Sequence, residues 1–76
     1  DMKVYTILTV ATAPNQGGSA LDISKTAYAT RESASVGLEN YSQQQPNLYE
    51  RTDEDGTVFT VLIVEQTVEG SEAPNE

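Results

Sequence analysis

The chain contains neither cysteine nor histidine. Without cysteine there can be no disulfide staple and no thiolate metal site. Without either, the commonest zinc ligands, general bases and strong nucleophiles are missing. Bases are scarce: Lys3, Lys25, Arg31 and Arg51 stand against 12 acids, for a formal net charge of -8. Such a surface repels a bare phosphate backbone and an anionic membrane, so direct contact with either is not expected. No apolar run approaches the roughly 18–20 residues needed to cross a bilayer. The N-terminus lacks a basic region followed by an apolar stretch and a cleavage site. A cytoplasmic protein is expected, with Met2 rather than Asp1 as its natural start.

The chain has 76 residues, enough for one domain. The expected boundaries are 2–70 for the domain and 71–76 for a disordered acidic tail. A chain this short buries only about 60–65% of its unfolded surface. With no disulfide or metal to help, self-association is the remaining way to bury more apolar area.

What is present alternates like a sheet. Residues 3–12, KVYTILTVAT, are rich in β-branched and aromatic types that suit a pleated surface. Val4, Leu8 and Val10 point one way, and Tyr5, Ile7 and Ala11 the other. Both faces are apolar, as in an interior strand. Pro14, Gly17 and Gly18 mark a break, either a loose hairpin connection or a binding loop. Residues 21–29 alternate weakly and read as an edge strand, with Lys25 falling on the apolar set as a guard against edge pairing.

Thr30 is placed to cap a helix, and Glu32 then lies near its positive end. Ala34, Leu38 and Tyr41 at i, i+4, i+7 form one helical stripe. Gly37 beside it costs about 1 kcal/mol in a helix interior, and close packing on the sheet is the expected offset. The helix should fade through Gln43–Gln45, before Pro46. Residues 48–52 and 57–68 flank Asp53-Glu54-Asp55-Gly56, a strong hairpin signal. In the last strand Phe59, Val61 and Ile63 share one face, and Val58, Leu62 and Val64 the other.

The expected fold is α+β: a single small ββαββ domain with a four-stranded, mainly antiparallel sheet and one helix on one face. The first and last strands should lie in its middle. One helix covers one face only, so apolar groups on the other need a cover. A second copy of the chain is the simplest one, which makes a homodimer through Val58, Leu62 and Val64 the expectation.

The remaining motifs carry little chemistry. Asp53-Glu54-Asp55-Gly56 lacks the further spaced oxygen ligands of a calcium loop. Ser24-Lys25 and the serines 33 and 35 show no desolvated lysine or oxyanion site. Gly17-Gly18 lacks the strand-to-helix glycine pattern of a nucleotide site. No cofactor, no metal and no catalysis are expected. The acids of the last third are the feature with functional potential: Glu50, Asp53, Glu54 and Asp55, with Glu65 and Glu69. They either keep a small domain dispersed or occupy a basic surface on a partner protein, in place of nucleic-acid phosphates. Tyr28 and Tyr49, apolar in body and polar at the tip, are further contact candidates.

In size, acidity and lack of catalytic groups the chain resembles small phage-encoded proteins that inhibit host enzymes or defence systems. That resemblance implies an acidic, DNA-mimic type of inhibitor. The alternative is a structural or accessory subunit that assembles through the exposed sheet face.

Overall fold

A computed structural model of the chain describes residues 2–14 and 17–69. The tail expected at 71–76 lies outside them. Five strands form one antiparallel sheet: β1 (Met2–Thr12), β2 (Ser19–Ile23), β3 (Ser42–Gln45), β4 (Leu48–Thr52) and β5 (Val58–Val68). Their order is β2-β1-β5-β4-β3, so the two most apolar strands are interior and adjacent. They pair without a break from Met2↔Val68 to Thr12↔Val58. Backbone groups of an apolar strand need partners away from water, and two such strands supply each other's.

The β1–β2 turn is closed by the Thr12 and Ser19 hydroxyls at 3.2 Å. The edge strand expected over 21–29 is interrupted. The Ser24 side chain accepts from the Thr26 amide at 3.1 Å, a local turn that competes with the ladder. The chain rejoins the sheet edge only at Tyr28, which exchanges two 2.8 Å backbone bonds with Tyr5. Lys25 sits exposed in the bend after β2. It is not the inward-facing edge guard that alternation suggested.

The helix starts where expected and ends early. Thr30 is extended (φ -134, ψ 157) and its hydroxyl accepts from the Ser33 amide at 3.0 Å. The α-helix, α1, spans only Arg31–Ser35 and passes into a 3-10 turn at Val36–Leu38. The Ser35 hydroxyl donates to the Glu32 carbonyl at 2.9 Å, engaging an acceptor of the helical ladder. Gly37 and the polar run after it add little propensity. Residues 43–45, expected to be the fading helix, instead pair with β4 as a fifth strand. The expected close packing at Gly37 is also absent: a Cβ there would meet no atom within 4 Å.

The expected hydrophobic stripe nevertheless works. Ala34 and Leu38 are buried with Val61 and Ile63, and Tyr5, Ile7, Tyr28, Tyr41 and Tyr49 pack around them. This small core lies between α1 and the β1–β5 pair. It is thin, and Val61 is its one large side chain with essentially no exposure.

Candidate interaction site

Register sorts every strand residue onto one of two faces. Toward α1 lie Tyr5, Ile7, Thr9 and Ala11 of β1, opposite Glu65, Ile63, Val61 and Phe59 of β5. Tyr49 and Arg51 of β4 and Asp22 of β2 join them. Away from α1 lie Val4, Leu8 and Val10 of β1, opposite Gln66, Leu62 and Thr60. Leu21 and Ile23 extend that face on β2, and Leu48 extends it on β4. Val58, Leu62 and Val64, the residues assigned to self-association from sequence, all belong to it.

No described helix lies over this open face. Leu21, Ile23 and Leu62 are 64%, 62% and 39% exposed. Among its strand residues, Glu50 is the one charged group; it pairs with Thr60 on one side and Ser42 on the other. The covered face is the charged one, bearing Lys3, Asp22, Arg51 and Glu65. Val4, Leu8, Val10, Leu48, Val58 and Val64 are half-buried between their neighbours; in a chain at net -8, charge has been cleared from the side that no described helix covers.

The acids do not form one cluster. Asp53, Glu54 and Asp55 make the tip of the β4–β5 hairpin, around a shallow, open depression of about 300 Å³. Gly56 turns the chain at φ 89, and its amide donates to the Asp53 carbonyl at 3.0 Å. Left-handed backbone is what a three-residue hairpin loop demands at this position. Pro14 of the β1–β2 connection packs so close that a Cβ on Gly56 would meet its Cγ at 3.0 Å.

Two of the three tip carboxylates already have partners. Asp53 accepts from the Arg51 guanidinium at 2.6 Å. That guanidinium stacks over Phe59 at 4.6 Å and Tyr41 at 5.3 Å. Asp53 and then the Tyr41 hydroxyl raise the Arg51 pKa further. Asp55 accepts from the Thr57 amide at 3.0 Å, a bond that holds its carboxyl below the ordinary range. Glu54 has neither an ion pair nor a hydrogen-bond partner among the described residues.

Glu65 lies eight positions along β5 from Thr57, about 26 Å at a strand's rise. It faces α1 and is bridged to Lys3 at 2.8 Å. The Lys3 ammonium, as hydrogen-bond donor and as charge, lowers its pKa. Glu69 follows the end of β5, farther still from the tip. Sequence proximity grouped these acids; an extended strand separates them.

Of the two tyrosines, one departs from its expected edge position. Tyr49 is on β4, which β3 and β5 flank, so it is not on an edge strand. Tyr28 is fixed by its bridge to Tyr5. Both are half-buried against the core. Arg51 is the side chain that sequence reasoning passed over: its position two residues before Asp53, opposite Phe59, could have suggested it as the anchor of the tip.

Among the described residues no three acidic side chains are arranged to hold a metal ion. No described helix is long and apolar enough to cross a membrane. Comparison of the chain with protein-family models, with curated proteins and with solved structures finds no match.

Proposed function

We propose that this chain is a non-enzymatic, cytoplasmic protein-binding module, an accessory subunit that docks through the sheet face opposite α1. One observation carries the reading. A face built mainly from Val, Leu, Ile and Thr on four strands, with Ser42 on β3, Gln66 on β5 and Glu50 its lone charge, stands open in a strongly acidic chain. Monomers rarely leave contiguous apolar patches above a few hundred Å² in water. Affinity capture from a cell extract at low and high salt tests it, comparing the unaltered chain with Leu62→Asp. Apolar docking persists or strengthens at high salt, and Leu62→Asp abolishes it. Capture that survives Leu62→Asp, or that collapses as salt rises, would sink the proposal.

A second reading keeps the hairpin tip as a nucleic-acid-mimic surface that occludes a basic site, as a phage-type inhibitor would. The exposure of Asp53, Glu54 and Asp55 at the extremity of the hairpin supports it. Glu65 and Glu69 take no part in that surface. Reversing all three tip charges would also remove the Arg51 bridge and the Thr57 cap, so Glu54→Lys, which breaks neither and lies off the sheet face, is the cleaner probe. On this reading that variant weakens capture at low salt with its melting temperature unchanged; on the sheet-face reading capture remains.

A further inference from the structure

We infer that the occupant of the open face is a second copy of this chain, packed sheet against sheet about a twofold axis. The inference rests on the reading that this face is a docking surface.

The first argument is charge. A basic or acidic partner would find Glu50 alone to pair with on the strands of this face. What fits is a flat surface of mainly apolar and threonine side chains with little charge, and the chain carries one such surface itself. Two copies at -8 each can approach because their charges lie elsewhere. The Asp53–Asp55 tip is at one end of the sheet, and Glu65 is neutralised by Lys3 on the far face. In the strand order β5 is central, so Thr60 and Leu62 fall near the middle of the contact. Glu50 lies between Thr60 and Ser42, toward the β3 edge. It is one strand in from that edge and exposed, and with Ser42 beyond it on β3 the contact turns polar there, as the periphery of an interface does.

The second argument is area. Five strands about 4.8 Å apart, each about five residues long, continue into the longer β1–β5 ribbon. At about 3.3 Å per residue the face covers on the order of 600 Å² in plan, and more once side-chain relief is counted. A standard stable interface takes about 800 Å² from each partner. The whole face is therefore close to what one symmetric dimer consumes. A twofold axis closes such a contact at two copies, since the same patch serves both sides. Two sheets packed about 10 Å apart would make a sandwich with a second apolar layer, beside the thin one that α1 provides.

Light scattering coupled to size-exclusion chromatography on the full chain, over a range of concentrations, tests this. The expected mass is twice the 8.2 kDa of one chain. Leu62→Asp, and separately Leu21→Lys with Ile23→Lys, should halve that mass while the far-ultraviolet circular dichroism stays unchanged. The β2 pair is exposed and outside the core, so folding survives even if Leu62→Asp disturbs it. Val36→Lys, at 66% exposure on the 3-10 turn, should leave the double mass intact. A single-copy mass at every concentration, or a double mass that both face variants keep, overturns the inference. If the chain is single-copy while Leu62→Asp still abolishes capture from extract, the second copy is refuted and the docking face stands. If capture also survives that substitution, both fall.

Discussion

Val61→Ala measures how much of this fold hangs on its thin core. Val61 is 1% exposed and sits beneath Ala34 and Leu38 of the helical segment. On its own strand-face it is flanked by Thr9 and Tyr49. The substitution removes two methyl groups, worth about 0.8 kcal/mol each in transfer alone. The neighbours are two interior strands and a capped helix, so the site cannot collapse fully, and a residual cavity raises the cost to about 2–3 kcal/mol. A domain of this length has about 4–11 kcal/mol of stability in total. The change should therefore lower the melting temperature by roughly 10–20 °C and move the urea midpoint by about 1–2 M. Urea titration followed by far-ultraviolet circular dichroism reads it directly. Leu62→Ala is the internal control, one residue along and on the opposite face. In dilute solution it should cost about half as much, because Leu62 is 39% exposed there and leaves no closed cavity. As concentration rises and the face becomes covered, its cost should grow, since association adds to stability by mass action. A Val61→Ala loss within about 0.5 kcal/mol of zero would refute the assignment of the core.

Two further outcomes follow from the turns and the charges. Gly56→Ala should destabilise the β4–β5 hairpin by about 1–2 kcal/mol, because φ 89 disfavours any Cβ and Pro14 stands 3.0 Å from where it would lie; a neutral result in thermal melts would mean that the loop relaxes freely. Glu65 and Asp55 both have folded pKa values below their ordinary 4.5 and 3.8, through Lys3 and the Thr57 amide respectively. A depressed carboxyl stabilises the fold above its unfolded pKa, and the contribution is lost as pH falls through the folded value. Stability should accordingly decline from about pH 4.5 downward, and Glu65→Gln should make that decline shallower, most visibly at low salt. Superimposable pH profiles for the two chains would show that the Lys3 bridge contributes nothing.

Much of the sheet was legible. Alternation over residues 3–12 and 57–68 identified both long strands and put each of their side chains on the right face, because the two-residue period leaves no choice once pairing begins. Thr30 announced the helix start through its capping hydroxyl, and Asp53 to Gly56 announced the hairpin through turn chemistry. The fifth strand was not legible. Ser42–Gln45 has neither strand composition nor alternation; it is a strand because β4 offers it an edge with unpaired backbone groups. The short helix was also beyond reach, since local hydrogen bonds such as Ser35 to Glu32 decide where so brief a segment stops.

The candidate site divides along the same line. That one face of the sheet would stand without a roof follows from composition, because two strands apolar on both sides outnumber one amphipathic segment. How the charges fall around that face does not. Acids close together in sequence suggest one surface, but β5 is extended and carries Glu65 about 26 Å from the hairpin tip. The neutral face extends across Leu21, Ile23 and Leu48 only because the order β2-β1-β5-β4-β3 sets those residues beside Leu8 and Leu62. Periodicity is a local property, and the sequence alone determines it. Adjacency between strands distant in the chain depends on which edges find partners, and only the folded sheet decides that.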